Sequence, residues 1–349
     1  MLNSAFENAE IERLISVLPK AELHVHLEGS IQPEIAVELA TRHGVTISEN
    51  EVAARYAPGD FAQFLDAFKW VTSFVRTPTD YALIAARLAE QLLQSHVRYA
   101  EVTLSVGVMF LRKQDPFANF EAMRVATDRY RKSGLAIQWI FDAVRQFGVP
   151  AARDVAKLAV ECRDEGVVAF GMGGDELALP ASDFRGVYDF AAENGLQRVV
   201  HAGEIGNAQS VRNAVEVLGV TRVGHGIAVV NDPAVMDFLV ERNVTLEVCP
   251  TSNVRTGALA RQIGKPAAGI LEHPLRRLFD RGLQIALSTD DPAMFESTLN
   301  EEYLHASRMG FTPAMLKRLA EMSFQNAFLA SAEKDHHLSA VRPISLSNS

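Results

Sequence analysis

The chain has 349 residues, of which 48% are hydrophobic and 22% are charged, and its formal net charge is −9 at pH 7. This composition is typical of a globular protein with a sizeable core, and a negative chain without a Lys/Arg run does not suit a nucleic-acid backbone as partner. No stretch approaches the ~20 consecutive apolar residues of a membrane span. The two cysteines make neither a disulfide framework nor a thiolate metal site. The N-terminus lacks a basic region followed by an apolar one, so we expect no export and a cytoplasmic location.

The first elements are a predicted helix over 7–18, which ends at Pro19, and a predicted strand. The strand stretch, 21–30, reads Ala-Glu-Leu-His-Val-His-Leu-Glu-Gly-Ser. Because side chains alternate along a strand, His24 and His26 lie on the same face. Two such imidazoles can bind one zinc ion, although His-x-His alone also fits an ordinary half-buried strand.

Three helices are predicted next. Pro33 opens an amphipathic segment, as expected for a proline in the first turn of a helix. Phe61, Phe64 and Phe68 then recur at helical spacing, which indicates core packing or, alternatively, a lid helix near 60–70 over an apolar pocket. The segment 80–96 is a third amphipathic helix.

Short β-branched runs then alternate with helical segments. The predicted strands lie at 99–104, 135–144, 167–171, 198–201, 222–225, 244–249 and 283–288. With the His-bearing strand they number eight, which predicts a single (β/α)8 TIM-type barrel over 1–349, with a loose tail at 339–349. A doubly wound sheet is the alternative, but the glycine cluster at 171–174 lacks the spacing of its phosphate-binding loop.

Polar residues fall at or just past the predicted strand ends. They are His24, His26, Glu101, Asp142, Asp175, Glu176, His201, Glu204, His225, Asp290 and Asp291. In a barrel these ends converge on one face, where active sites are built. Any single residue could be a helix cap or a satisfied core polar group. The residue types as a set are those of a metal-dependent hydrolase.

Four of these residues, all nitrogen or oxygen donors, are candidate metal ligands: His24, His26, His201 and Asp290. Such a set suits Zn²⁺ or another divalent ion with one position open for water, and zinc lowers the pKa of bound water to ~7. A proton shuttle and a group that orients the nucleophile are also needed. Glu204 and His225 are the ionisable residues best placed for these tasks.

Six motifs between Pro19 and about Phe328 resemble the adenosine deaminase family of the amidohydrolase superfamily. They are Leu-Pro-Lys-Ala-Glu-Leu-His-Val-His-Leu-Glu-Gly (18–29), Gly-Gly-Asp-Glu (173–176), His-Ala-Gly-Glu (201–204), Gly-His-Gly (224–226), Cys-Pro-Thr-Ser-Asn (249–253) and Ser-Thr-Asp-Asp-Pro (288–292). The other zinc nucleobase deaminases carry His-x-Glu with Pro-Cys-x-x-Cys, and this chain has no Cys-x-x-Cys.

The resemblance implies a deaminase that converts the 6-amino group of an adenine nucleoside to a 6-oxo group and releases ammonia. It implies one Zn²⁺ per chain, held by His24, His26, His201 and Asp290. The implied catalytic residues are Glu204, His225 and Asp291. The implied substrate-binding residues are His26, Glu28, Gly174, Asp291, Phe64 and Phe68. In these roles Glu204 would protonate purine N1, His225 would orient the attacking hydroxide, Asp291 would contact N7 and the Gly174 N–H would contact N3.

The identity of the substrate depends on Glu28. Adenosine-specific members of the family usually carry Asp at this position, where it contacts the sugar 5′-hydroxyl. The longer Glu fits a different 5′ group, as in 6-aminodeoxyfutalosine, and adenine deaminases of the family share the Glu. Adenosine and 6-aminodeoxyfutalosine therefore stand together as first candidates and free adenine as the next. The sequence leaves the oligomeric state and the native metal open.

Two rival functions come from other classes. A metal-dependent phosphoesterase or lactonase could use the same barrel, but it would commonly bridge two metals with a carboxylated lysine or a carboxylate. A non-catalytic purine-binding protein would have no need for Glu204 and His225 beside a metal set. Because fold alone does not fix function, the residue set favours the deaminase.

Overall fold

Eight strands run parallel and in sequence order, each hydrogen-bonded to the next along the chain. The computed structural model describes residues 2–57 and 59–344. The strands are β1 (Lys20–His26), β2 (Val97–Leu104), β3 (Ala136–Val144), β4 (Val167–Gly173), β5 (Gln197–Ala202), β6 (Arg222–His225), β7 (Thr245–Val248) and β8 (Gln284–Leu287). Just past β8, Asp290 forms a parallel bridge with Val25 of β1, which closes the sheet into a barrel.

The predicted (β/α)8 barrel is confirmed, and all of its predicted strands are present. A doubly wound sheet would place the first strand in the middle of the order, whereas here the order runs from β1 to β8. The largest difference is at β1, where the predicted stretch 21–30 leaves the strand after His26. Leu27 is in the right-handed helical region, and a short 3-10 helix, Glu28–Ser30, follows.

Helices surround the barrel. They are α1 (Leu2–Val17), α2 (Pro33–Arg42), α3 (Glu49–Arg55), α4 (Phe61–Thr72), α5 (Pro78–Gln94), α6 (Val106–Leu111), α7 (Pro116–Asp128), α8 (Gly148–Glu161), α9 (Arg185–Glu193), α10 (Ala208–Leu218), α11 (Pro233–Glu241), α12 (Pro250–Arg255), α13 (Ala258–Gln262), α14 (Leu275–Asp280), α15 (Leu299–Arg308), α16 (Pro313–Asn326) and α17 (Ser331–Val341). Within the described residues, none of them is both long and apolar enough to cross a bilayer.

Local sequence signals explain where the helices near the site begin. Pro33 occupies the first turn of α2, as predicted. The Asp60 side chain accepts a hydrogen bond from the Gln63 N–H (2.9 Å), and the Gln63 side chain in turn accepts one from the Asp60 N–H. This reciprocal capping box fixes the start of α4, the helix that carries the phenylalanine stripe.

The C-terminal prediction needs a correction. The loose tail predicted over 339–349 begins inside α17, where Leu338 and Val341 are buried. The apolar side chains of this otherwise polar helix pack on the core, so residues 339–341 are ordered helix. Residues 345–349 lie outside the described part of the chain.

A buried ion network crosses the interior of the barrel. Arg222 of β6 is 1% exposed, and its guanidinium lies 2.6 Å from Glu101 of β2 and 2.6 Å from Glu247 of β7. The same guanidinium stacks over the ring of Phe328, 3.8 Å from its centroid. Removing one partner from such a network strands the remaining charges in a medium that solvates them poorly.

We expect Arg222→Met to lower the free energy of unfolding by about 3–5 kcal/mol, because two buried carboxylates lose the guanidinium that pairs with both of them. Chemical denaturation would measure the change. The control is Arg185→Met, since the Arg185 side chain is 69% exposed and its loss should change stability by less than about 0.5 kcal/mol. Equal effects in the two variants would contradict a stabilising role for the network.

Candidate active site

The carboxyl ends of the strands surround one polar cluster. His24 and His26 lie on β1, His201 in β5 and His225 at the end of β6, while Asp290 follows β8. Two of these residues have left-handed backbone conformations, with φ of 61° at His225 and 69° at Asp290. Such conformations are uncommon outside glycine and concentrate at functional sites. Thus the predicted residues meet at one face of the barrel.

The side chains of the cluster approach one another closely. Ligand-type atoms of His24, His201, His225 and Asp290 all lie within 4.8 Å of one another. His26 belongs to the same cluster, because its Nε2 is 3.2 Å from His201 Nε2 and 3.3 Å from Asp290 Oδ1. The cluster therefore contains the four predicted ligands together with His225.

The donor atoms of this cluster fit a metal ion. His24 Nδ1 lies 2.8 Å from Glu247 Oε2, and an ionised carboxylate can only accept, so this nitrogen carries the proton. In the neutral ring, His24 Nε2 then carries the lone pair; it is buried, lies 3.4 Å from Asp290 Oδ1 and has no hydrogen-bond partner among the described residues. In zinc sites, the ring nitrogen that does not bind the metal commonly donates to a carboxylate in this way.

The electrostatics of the cluster also favour a cation. Burial lowers the pKa of His24, but the facing carboxylates of Asp290 and Glu247 outweigh burial and raise the pKa to about 10. The pocket between these carboxylates therefore stabilises positive charge, which a metal ion supplies as well as a proton does. Gly224 leaves the space for this arrangement, since a Cβ there would lie 2.7 Å from His24 Cε1.

The adjacent carboxylates after β8 differ in charge. Burial opposes ionisation of Asp290, but the hydrogen bond and positive charge of the facing histidines hold its pKa well below the usual range, and Ser252 Oγ donates to it at 2.7 Å. Burial and then the neighbouring Asp290 charge raise the pKa of Asp291 well above its usual range. The two aspartates are therefore chemically distinct, although they are adjacent in the chain.

Glu204 lies in the loop after β5, next to the cluster. Its carboxyl oxygens lie 3.3 Å from Thr256 Oγ1 and 3.7 Å from His225 Nε2. Burial, followed by the negative charges of Asp290 and Glu176, raises the pKa of Glu204 to about 8. This carboxyl is thus mostly protonated at neutral pH and suited to act as a general acid.

A second carboxylate, Glu176, organises the loop that carries Glu204. Its oxygens accept hydrogen bonds from four consecutive backbone N–H groups, at residues 203–206, with distances of 2.6, 3.2, 3.2 and 3.0 Å. Ser210 Oγ donates to it as well, at 2.7 Å. The Gln262 side chain donates to the Glu204 and Gly206 carbonyls, each at 2.7 Å. The backbone at Glu204 is therefore fixed from both sides.

An aromatic-lined cavity opens above the cluster. Its volume is about 130 Å³. Phe61, Phe64 and Phe68 of α4 line it, together with Asp142, Gly174, Glu204 and Asp291. Phe64 also packs on Phe295, with ring centroids 5.2 Å apart. The predicted Phe64, Phe68 and Gly174 thus line the same space as the polar cluster.

Glu28 is placed differently from the other predicted substrate-binding residues. It is buried, its Oε1 accepts a hydrogen bond from the Ser105 N–H at 3.1 Å, and its Oε2 has no partner. Burial raises the pKa of Glu28 to about 7. Ser105, rather than Glu28, is among the residues that line the cavity.

Four supporting residues have no role predicted from the sequence, although Glu176 lies at a predicted strand end and Ser252 and Asn253 lie in a quoted motif. Glu247, Ser252, Asn253 and Glu176 all contact the cluster or the groups that position it. Glu247 carried a readable signal, because it is a charged residue in an otherwise apolar and β-branched strand. The contacts of Glu176 and Asn253 depend on loops that meet only in the folded barrel.

Known proteins resemble this chain in sequence and in fold. The profile of the family described as adenosine deaminase matches residues 19–343. An aminodeoxyfutalosine deaminase from Streptomyces avermitilis is 35% identical over 336 residues, which cover 93% of this chain and 90% of that protein. The structure of adenine deaminase from Arthrobacter aurescens has a TM-score of 0.87 at 28% identity and covers 93% of this chain and 98% of that one. An amidohydrolase from Burkholderia ambifaria, solved with bound Zn, has a TM-score of 0.86 at 28% identity and covers 96% and 92%.

The closed parallel barrel, with its histidine and aspartate cluster at the strand ends, defines a hydrolase of the amidohydrolase class. Within that class, the match over 19–343 shows that the chain belongs to the adenosine deaminase family. It is accordingly a hydrolase that acts on a C–N bond, and its cluster can hold a metal ion.

We expect Glu176→Gln to lower the rate of ammonia release about 10²-fold, the size of effect that a displaced catalytic group produces. The amide NH₂ would face backbone N–H donors, so the loop over 203–206 would lose its fixed conformation. Hydrogen exchange at these amides should accelerate in parallel. Asp175→Asn is the control, because Asp175 accepts only the Leu177 N–H at 3.0 Å and an amide oxygen can keep that bond. Unchanged exchange at 203–206 in Glu176→Gln would contradict this role.

Proposed function

We propose that the protein is a zinc-dependent deaminase that hydrolyses the 6-amino group of an adenine nucleoside to a 6-oxo group and releases ammonia. The observation that carries the proposal is the buried Glu204 carboxyl, whose Oε2 lies 3.7 Å from His225 Nε2 beside the His/Asp cluster. An aromatic-lined cavity opens on this pair. The partner is therefore a small-molecule purine; the cytoplasmic location and the lack of nucleic-acid or membrane partners stay predictions.

The proposed cofactor is one Zn²⁺ per chain, held by His24, His26, His201 and Asp290. Neutral imidazoles and a carboxylate are a common zinc donor set, and the unpartnered, buried Nε2 of His24 supports this choice. When bound, zinc lowers the pKa of water to ~7 and so supplies a nucleophile at neutral pH.

The residues around the metal would carry the proton and the substrate. Glu204 donates its proton to purine N1, which makes C6 more electrophilic. His225 orients the attacking oxygen, Asp291 contacts N7 and the Gly174 N–H contacts N3. Water adds to C6 and ammonia leaves, so the atoms of the 6-aminopurine and water balance those of the 6-oxopurine and ammonia. Phe64, Phe68 and His26, which line the cavity, complete the proposed substrate-binding set together with the buried Glu28, which accepts a hydrogen bond from the cavity-lining Ser105.

The choice among 6-aminopurines rests on the relatives and on Glu28. Aminodeoxyfutalosine deaminase of S. avermitilis is a relative over nearly the whole chain, and Glu28 is longer than the Asp that adenosine-specific members usually carry. Adenosine and 6-aminodeoxyfutalosine are therefore the proposed substrates. Adenine is the second candidate, because a structural neighbour over 93% of the chain is an adenine deaminase.

Ammonia release by the zinc-loaded protein would test the proposal. Its kcat/KM should be compared for adenosine, 6-aminodeoxyfutalosine and adenine at equal enzyme concentration. We expect turnover of at least one nucleoside, with adenine slower. Turnover of none of the three, with metal bound, would overturn the proposal and favour a phosphoesterase or lactonase.

We expect Glu204→Gln to retain its metal but to lose about 10²–10⁴-fold in kcat, the usual contribution of a positioned acid. The amide NH₂ is too weakly acidic to transfer a proton to N1, whereas the metal ligands are unchanged. His24→Ala is the matched contrast, because it removes a ligand and should lower the metal content after dialysis. Near-normal kcat in Glu204→Gln would exclude the proposed proton donor.

A further inference from the structure

A buried chain of hydrogen bonds leads from the start of α14 to His225. The Leu275 N–H donates to His273 Nδ1 at 3.1 Å, and His273 Nε2 lies 3.2 Å from Asn253 Oδ1. The amide nitrogen of Asn253 lies 3.0 Å from His225 Nδ1. Asn253, on α12, is 0% exposed, and the two rings are 4% and 1% exposed. We call this chain of bonds the Leu275–His225 relay.

The direction of the relay is fixed at its outer end. A backbone N–H can only donate, so His273 Nδ1 must accept and the His273 proton is on Nε2. That N–H donates to Asn253 Oδ1, which leaves the amide NH₂ of Asn253 facing His225. The NH₂ can only donate, so His225 Nδ1 accepts and the His225 proton is on Nε2.

This tautomer determines what His225 can offer the site. Its Nε2 lies 3.7 Å from Glu204 Oε2 and 3.7 Å from Asp290 Oδ2, so the N–H is directed at the place where proton donor, cluster and cavity meet. An Nε2 that carries a proton has no lone pair for a metal or for a second proton. His24 has the opposite tautomer, because Glu247 accepts from its Nδ1.

We infer that Asn253 and His273 are positioning residues that hold His225 in the Nε2–H tautomer. His225 then acts as a hydrogen-bond donor to the attacking oxygen, and it is excluded both as a metal ligand and as a proton acceptor at Nε2. Because His225 is excluded, the ligand set is formed by the other four residues of the cluster, with His26 as the fourth ligand. The catalytic part of this inference rests on the proposed function; the tautomer does not.

Burial makes the relay effective. Reversing the His225 tautomer would place its Nδ1–H against the Asn253 NH₂, and turning the Asn253 amide would place two acceptors, or two donors, against each other along the relay. Each reversal leaves a buried polar group unsatisfied in a region from which water is excluded. The imidazole of His225 therefore reaches the substrate already in one form.

Ring-nitrogen NMR of the protein labelled with ¹⁵N at histidine tests the tautomer directly. The chain has ten histidines, and comparison with His225→Gln assigns the signals of interest. We expect an unprotonated His225 Nδ1 and a protonated Nε2, in the metal-free and in the zinc-loaded protein. The reverse pattern, or loss of the Nε2 proton on zinc binding, would overturn the inference.

Three variants test the positioning role. Asn253→Asp replaces the donor by an acceptor, so His225 should move its proton to Nδ1, and kcat should fall about 10²-fold or more, as other wrong-tautomer variants do, with KM changed less than twofold. His273→Leu removes the two hydrogen bonds that His273 makes in the relay and should lower kcat about 10-fold. His273→Gln keeps an acceptor for the Leu275 N–H and a donor for Asn253, so it should recover most of that loss.

The control is Thr251→Val, a change of similar volume on α12 whose hydroxyl takes no part in the relay; its kcat should equal that of the wild type. A His273→Gln variant as slow as His273→Leu, or an Asn253→Asp variant with normal kcat, would overturn the positioning role. If the wild type turned over no 6-aminopurine, the proposed function would fail, and the NMR signals would still decide the tautomer.

Discussion

The structure depends on the two backbone hydrogen bonds that join Asp290 to β1. The Asp290 N–H donates to the His24 carbonyl at 3.0 Å, and the His26 N–H donates to the Asp290 carbonyl at 2.8 Å. These bonds close the barrel, and the same three residues supply side chains to the His/Asp cluster. Closure of the fold and assembly of the site are therefore one event. A shift of register by one residue at this seam would turn both histidines away from the cluster.

Charge balance is the second constraint on this barrel. The Arg222 guanidinium pairs with both Glu101 and Glu247 in the interior, whereas the basic groups that face Asp290 are the imidazoles of His24, His26 and His225. Buried charges are tolerated when they are paired or bind a metal. The cluster is thus suited to a bound cation. Glu204 and Asp291 need no such cation, because burial and neighbouring negative charge raise the pKa of each carboxyl and favour its neutral form.

The sequence was sufficient for the barrel and for the cluster, because both depend on patterns of short range. Strand runs alternate with helical segments, and His24, His201, His225 and Asp290 are each next to a strand end. The supporting contacts could not be read in the same way. Glu176 reaches the loop at 203–206, and His273 reaches His225 through Asn253, only because separate βα loops meet at one face. The last helix was missed because only two of its residues, Leu338 and Val341, are buried.

The surrounding protein sets the ring proton on opposite nitrogens in His24 and His225. Glu247 accepts a hydrogen bond from His24 Nδ1–H, so Nε2 of the neutral His24 ring carries the lone pair. Asn253 donates a hydrogen bond to His225 Nδ1, so the proton of the His225 ring is on Nε2. Two identical side chains, with ring centroids 5.1 Å apart, therefore present a lone pair and a proton to the same small space. The difference between a ligand and a hydrogen-bond donor is set here by the neighbour behind each ring, since the rings themselves are chemically alike.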